Sequence, residues 1–305
     1  MEASTLTRPE PVLGSALEAV IVSNSHPEHP IVVIDKCSPG TWGGATVNYP
    51  GIGEGPKQLL DTVWSMKYFA LYFLNRSPWV EHDYTGPVAD VKLLGPNDPI
   101  PAGAWVHEFA DASDQAGAIG YHEGQARITK SGPSGSHSER GVILHPATGA
   151  ETVLMRSFVA TAREDSVYVT EVATHELSEA AVDPYVNNES ELRVYPNPAD
   201  GKEYLGEVGD PVQSRAFDVG APEGRPCGVP EAFVSDFAYP AWWAQEQSRP
   251  GTCFTEDAEA WRTLPGLPTV PPFTIAAGGY ASVRSPGGQW EQRRGAETKP
   301  GKNPQ

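Results

Sequence analysis

Apolar positions recur with a helical period most clearly between Lys57 and Asn75. Leu59, Val63, Met66, Ala70 and Phe73 alternate at spacings of four and three residues, and Leu60, Trp64, Leu71 and Leu74 widen the same face. So broad an apolar surface predicts a buried helix backing a sheet. Ahead of it, the apolar runs Ala19–Val22 and Ile31–Ile34, parted by a turn rich in His, Pro and Asn, read as strands after an extended lead-in over residues 1–15. The segment from Cys37 to Gly55 is glycine-rich and ends in Gly51-Ile52-Gly53-Glu54-Gly55. It lacks the longer glycine signature of a phosphate cradle and reads as a turn before the helix.

The pattern then changes to runs of strand character. These are Val88–Leu94, Ala104–Phe109, Ala118–Thr129, Val142–His145 and Thr152–Ala160, with Ser131–Arg140 as a polar Gly/Ser loop. A second helix is expected up to Val182, because Glu171, Leu177, Ala180 and Ala181 are good helix formers. Pro184 disfavours helical geometry at Asp183 and should end the helix there. Further on, Val234–Trp243 is aromatic-rich and interrupted by Pro240, while Phe273–Ile275 and Tyr280–Val283 read as late strands. From Ser285 the chain is polar and basic, which predicts a disordered tail. A helix, several strands and then a second helix describe a mixed α+β domain.

A chain of 305 residues can bury a substantial core, in one large domain or two. Its formal charge of −17 argues against a nucleic-acid partner, since phosphate binding is driven by Lys and Arg, and suits a protein that attracts cations. No run approaches the roughly 18 apolar residues that cross a bilayer. Met1-Glu2-Ala3-Ser4 does not open a secretory signal. The expectation is a soluble protein, cytoplasmic or virion-associated, with no membrane partner. Three cysteines, Cys37, Cys227 and Cys253, are too few for a disulfide scaffold and match no zinc-finger spacing. A Cys227–Cys253 bridge and free thiols both stay open.

Candidate chemistry concentrates in Thr174-His175-Glu176-Leu177-Ser178-Glu179-Ala180-Ala181-Val182-Asp183-Pro184. Residues four apart share a helix face, so His175 and Glu179 should project together, with Glu176 about 100° round the axis. This is the layout of the H-E-x-x-H metalloprotease helix, two ligands at i and i+4 and a glutamate base, with Glu179 in place of the second histidine. The His-Glu pair recurs elsewhere. His107-Glu108, with Asp111 four residues after His107, lies in a strand-like run, and His122-Glu123 precedes the helix-breaking Gly124. The first reads as a decoy; His122 reads as a surface residue or one reaching the site from a neighbouring strand.

His175-Glu176-x-x-Glu179-Ala180-x-x-Asp183-Pro184, followed by Glu207-Val208-Gly209-Asp210, resembles the signature of uncharacterised zincin-like, metallopeptidase-type proteins of bacteria, fungi and phages. Gly120-Tyr121-His122, Val234-Ser235-Asp236-Phe237 with Pro240, and Pro272-Phe273 with Gly278-Gly279-Tyr280 extend the likeness. Val182 departs from it, standing where a Thr is usual. The resemblance implies a zincin-like α+β fold over residues 57–285, a mixed sheet backed by a helix with a metal-site helix and a loop-rich C-terminal part. Residues 1–56 would then add strands and loops to that core, and 286–305 would form the tail. It also implies a metal-bound, peptidase-like site.

On this reading His175 and Glu179 are ligands and Glu176 is the general base. The third ligand is Glu207 first, Asp210 next and Asp183 after them, since an open tetrahedral site needs a ligand from outside the helix. Those not bound could orient His175 through its second ring nitrogen, and His122 could be a further metal ligand or orient one. Tyr121, Tyr185, Tyr204 or His122 could stabilise an oxyanion. The expected cofactor is Zn2+, with Ca2+ or Mn2+ admitted by oxygen-rich ligation, and the expected substrate is a peptide or protein. The rival is a non-catalytic structural or binding protein, for example of a phage particle, with protein assembly partners and a degenerate metal site. One imidazole with two carboxylates leaves little net charge on a divalent ion to acidify water, which suits that rival.

Overall fold

The structure is a computed structural model that describes residues 29–77, 79, 88–95, 97–101, 103–113, 117–123, 125–132, 135–142, 152–165, 167–184, 193–213, 215–218, 233–243 and 272–295. Its elements begin with β1 (His29–Asp35), the hairpin β2 (Thr46–Tyr49) and β3 (Gly53–Pro56), and helix α1 (Lys57–Tyr72). Strands β4 (Val88–Leu93), β5 (Trp105–Ala110), β6 (Gly120–Glu123), β7 (Gln125–Gly132), β8 (Gly135–Val142) and β9 (Leu154–Phe158) follow. Then come α2 (Val159–Glu164), α3 (Val169–Val182), β10 (Val194–Asn197), β11 (Lys202–Leu205), β12 (Ala216–Asp218), β13 (Phe233–Ser235), β14 (Tyr280–Arg284) and β15 (Glu291–Arg294).

The main sheet has the order β4-β1-β5-β9-β6. The first four strands run parallel, and the edge strand β6 is antiparallel to β9. Alternation along β1 sends Ile31 and Val33 to the helix-covered face and Val32 to the other, where it packs with Val106 and Leu154. Helix α1 lies against β4 and α3; α3 lies against β9, β6 and β13. Leu59, Leu60, Val63, Met66, Phe69 and Ala70 of α1 are buried, each large side chain contributing about 1.5–3 kcal/mol by leaving water. This is the backing helix that the periodicity predicts. A second, antiparallel sheet, β10-β11-β14-β15, carries the loop that completes the site.

Several sequence expectations change. The glycine-rich stretch before α1 is a hairpin, with Tyr49 opposite Gly53. Within Ser131–Arg140, expected as a loop, Ser131–Gly132 and Gly135–Arg140 are paired strand of β7 and β8, because backbone pairing does not require apolar side chains. The run Thr152–Ala160 is strand only to Phe158 and then turns into α2, while Phe273–Ile275 is not a strand. Residues 286–295, expected in a disordered tail, include β15, which pairs with β14. A boundary at residue 56 would cut through one sheet, since β1 sits between β4 and β5. The expected strand Ala19–Val22, the pair Cys227 and Cys253, and residues 296–305 lie outside the described residues. Among the described residues no helix is long and apolar enough to cross a membrane.

Candidate metal centre

Every residue of α3 from Val172 to Val182 is buried, so the charged motif is no solvated helix face. Ala173, Leu177, Ala180, Ala181 and Val182 fill the core. The polar positions are satisfied by specific partners. The Thr174 hydroxyl donates to the Thr170 carbonyl (2.8 Å) and accepts the Ser235 N–H of β13 (2.9 Å). The helix stops at Asp183, whose N–H donates to the Glu179 carbonyl and whose carboxylate accepts the Arg193 N–H at 3.1 Å.

His175 and Glu179 do project together: His175 Nε2 lies 3.2 Å from Glu179 Oε1 and 3.7 Å from Asp210 Oδ1. Asp210 arrives on the loop after β11, which Val208 anchors by burying its side chain and accepting the Ala238 N–H at 2.8 Å. The same loop donates its Gly209 and Asp210 N–H groups to Glu179 Oε1, 3.2 Å each. Gly209 passes against the imidazole, where an added Cβ would stand 2.5 Å from His175 Nδ1. On the other side of Glu179, strand β6 brings in His122. Its Nδ1 is 3.4 Å from Glu176 Oε2 and 3.7 Å from Glu179 Oε2, and its Nε2 donates to the Asp183 carbonyl at 3.0 Å. Two groups could therefore hold a metal ion, His175-Glu179-Asp210 and His122-Glu176-Glu179. Bonds of about 2.0–2.1 Å to a tetrahedral ion put neighbouring ligand atoms about 3.4 Å apart. The imidazole–carboxylate separations in both groups, 3.2–3.7 Å, fall around that value, and all ligand atoms of each group lie within 4.8 Å of one another.

Carboxyls outnumber imidazoles in this buried space, and their proton affinities show the strain. Burial pushes Glu207 well above the ordinary carboxylate range, and Glu179, Asp210 and Asp183 reinforce it. Burial with Glu179 pushes Asp210 up to about 7. Burial also raises Glu176. Burial disfavours ionisation of Glu179 too, yet His175 and His122 hold its carboxyl below the usual value. Burial opposes charge on His122, but Glu176 and Glu179 lift it to about 9; Glu179 and Asp210 likewise lift His175 against its burial. Glu207 Oε1 is buried without a hydrogen-bond partner among the described residues. A cation among these groups would let them ionise together.

Sequence reasoning ranked Glu207 ahead of Asp210, and the carboxylate that closes a ligand group with His175 and Glu179 is that of Asp210. Asp183 belongs to neither group: one carboxylate oxygen accepts the Arg193 N–H, and its backbone carbonyl accepts from His122. His122, a surface residue on one reading, is buried. Tyr204 does not reach the site: it lies in the core, its hydroxyl donating to Asp200 (3.0 Å) and accepting from Arg293. Tyr121 follows Gly120 on β6 and borders the cavity, but it points to the opposite face from His122, its hydroxyl accepting from Arg156. Tyr185 lies outside the described residues. The tyrosine that faces the cluster is Tyr280, at the start of β14, bonded to Asp210. Sequence reading placed it in the family likeness but gave it no role. The decoy is resolved by its partners: His107 is buried in β5 and bonded to the Ser157 hydroxyl at 3.0 Å. Glu108 meets Lys36 and Arg156, and Asp111 accepts from Ser38 and Thr41.

The cluster opens on a cavity of about 890 Å³ lined by Gly120, Tyr168, Glu171, Val172, Leu205, Gln213 and Gln292 besides the residues above. That is the size of a ligand pocket. Comparison with protein-family models, with curated proteins and with solved structures returns no match for this chain.

Proposed function

We propose that this chain is a zincin-like metal-binding protein that hydrolyses peptide bonds, with Zn2+ as the first-choice ion. The observation that carries the reading is the meeting of His175 and Glu179, one turn apart on a buried helix, with Asp210 from a separate loop, beside an open cavity. These residues would hold the ion, and Glu207, buried with an unpartnered oxygen, is the carboxylate in reserve. A divalent ion held there would supply Lewis acidity. Glu176 lines the same cavity with its proton affinity raised by burial, which suits a group that takes a proton from water and returns it to a leaving amine. Tyr280 lines the same cavity and could donate toward a developing oxyanion on giving up its hydrogen bond to Asp210.

One observation favours the rival reading of a non-catalytic metal site: Glu176, Glu179, Glu207 and Asp210 together would quench the charge of a bound ion and leave water a weak acid. Metal content of the purified protein, and cleavage of a peptide library by wild type and Glu176→Gln, separate the two. Bound metal with cleavage lost by about 10²–10⁴-fold in the variant supports the hydrolase. Bound metal without cleavage in either leaves the structural reading, and no bound metal removes both.

A further inference from the structure

We propose that a second cation position lies between His122, Glu176 and Glu179, so that Glu179 bridges two ions and occupation of the second takes Glu176 out of service as a base. The proposal rests on the reading that His175, Glu179 and Asp210 hold the first ion. Its starting point is the tautomer of His122. Nε2 is 3.0 Å from the carbonyl oxygen of Asp183, which can only accept, so the proton of a neutral ring sits on Nε2. That leaves Nδ1 facing Glu176 Oε2 and Glu179 Oε2, 3.4 and 3.7 Å away, as the ring atom open to a cation. In the ion-free site a proton on Nδ1 lies between these atoms, and a cation would take its place among the same three side chains. An imidazole whose far nitrogen donates to a backbone carbonyl is also the usual arrangement of a metal-bound histidine.

The two oxygens of Glu179 divide the space. Oε1 faces His175 and Asp210, and Oε2 faces His122. A carboxylate giving one oxygen to each of two ions fits the spacing of about 3.5–4 Å found in two-metal sites. Charge points the same way, because Glu207 Oε1, more than nine-tenths buried, has no partner among the described residues. One divalent ion does not balance the carboxylates gathered here, and a second brings the cluster near neutrality. The second position has one imidazole and two carboxylates, one of them already shared, so it is the weaker.

The test is a stoichiometry. Full-length protein is stripped with a chelator, titrated calorimetrically with Zn2+, and its bound metal is counted after gel filtration. Wild type is expected to take up two ions per chain, the second at least tenfold more weakly. His122→Asn is expected to keep one ion at the first affinity, and so is Glu176→Gln, which preserves shape should the histidine variant not fold. His175→Asn is expected to lose the tighter ion. One ion in wild type, or two in both the His122 and Glu176 variants, overturns the second position: Nδ1 then carries a proton, and the single-ion reading stands. No ion at all overturns that reading as well.

Discussion

Gly209 owes its place to the ring beside it. Its backbone φ of −81° is open to any residue, so the constraint is space: an added Cβ would meet His175 Nδ1 at 2.5 Å and Cε1 at 2.6 Å. The loop cannot move without breaking its N–H contacts to Glu179, nor the buried imidazole without leaving Glu179 and Asp210. Gly209→Ala should therefore destabilise the fold by about 1–3 kcal/mol, the usual cost of overpacking. It should also weaken cation binding by at least tenfold, read by competition with a chromogenic chelator; unchanged affinity would show that the loop does not position the ligands. At this scale the sequence was legible where the candidate ligands are neighbours on one helix. His175 and Glu179 follow from a spacing of four. Asp210, His122 and Tyr280 come from three other elements, and nothing local in Tyr121-His122-Glu123 tells which strand lies beside α3.

Helix α3 shows how a polar motif is kept inside a core. Thr174 ties it to β13 by accepting the Ser235 N–H, and the Ser178 hydroxyl turns back on the His175 carbonyl. Thr174→Val fills the same volume but leaves that buried N–H without its acceptor, which should cost about 1–3 kcal/mol in a denaturant titration. A loss below a few tenths would mean that β13 adjusts and the link is not structural. Elements that must bury one face were readable: α1 by its spacing of four and three, β1 by its β-branched run. Elements that only exchange backbone hydrogen bonds were not. β15 is Glu-Gln-Arg-Arg, almost wholly exposed, and as the outer strand of its sheet it needs no apolar face. Its polarity, which marked it as tail, is what an edge strand tolerates. The turn from β9 into α2 was hidden for another reason, since a short apolar run fits strand and helix equally well.

Over the whole molecule, an acidic chain with a carboxyl-rich interior should depend on pH in a way that a cation reverses. Asp210 ionises near 3.8 in the unfolded chain and at about 7 in the fold. A raised value means that the fold keeps a proton the unfolded chain has released, so this contribution is complete below the lower value and is lost as pH climbs through the upper one. His122, lifted from 6.5 to about 9, has the same sign in the next window. Glu179, held low, acts oppositely and only at the acid end. With chelator present, the urea midpoint should therefore fall steadily from about pH 5 to pH 9. General repulsion from a formal charge of −17 would also grow with pH, but that part is screened by salt, whereas the buried cluster is not. The decline should persist in molar salt, flatten below neutral pH in Asp210→Asn, and vanish when Zn2+ takes the place of the protons. A decline erased by salt alone would assign it to the surface and leave the buried carboxyls with no cation to wait for.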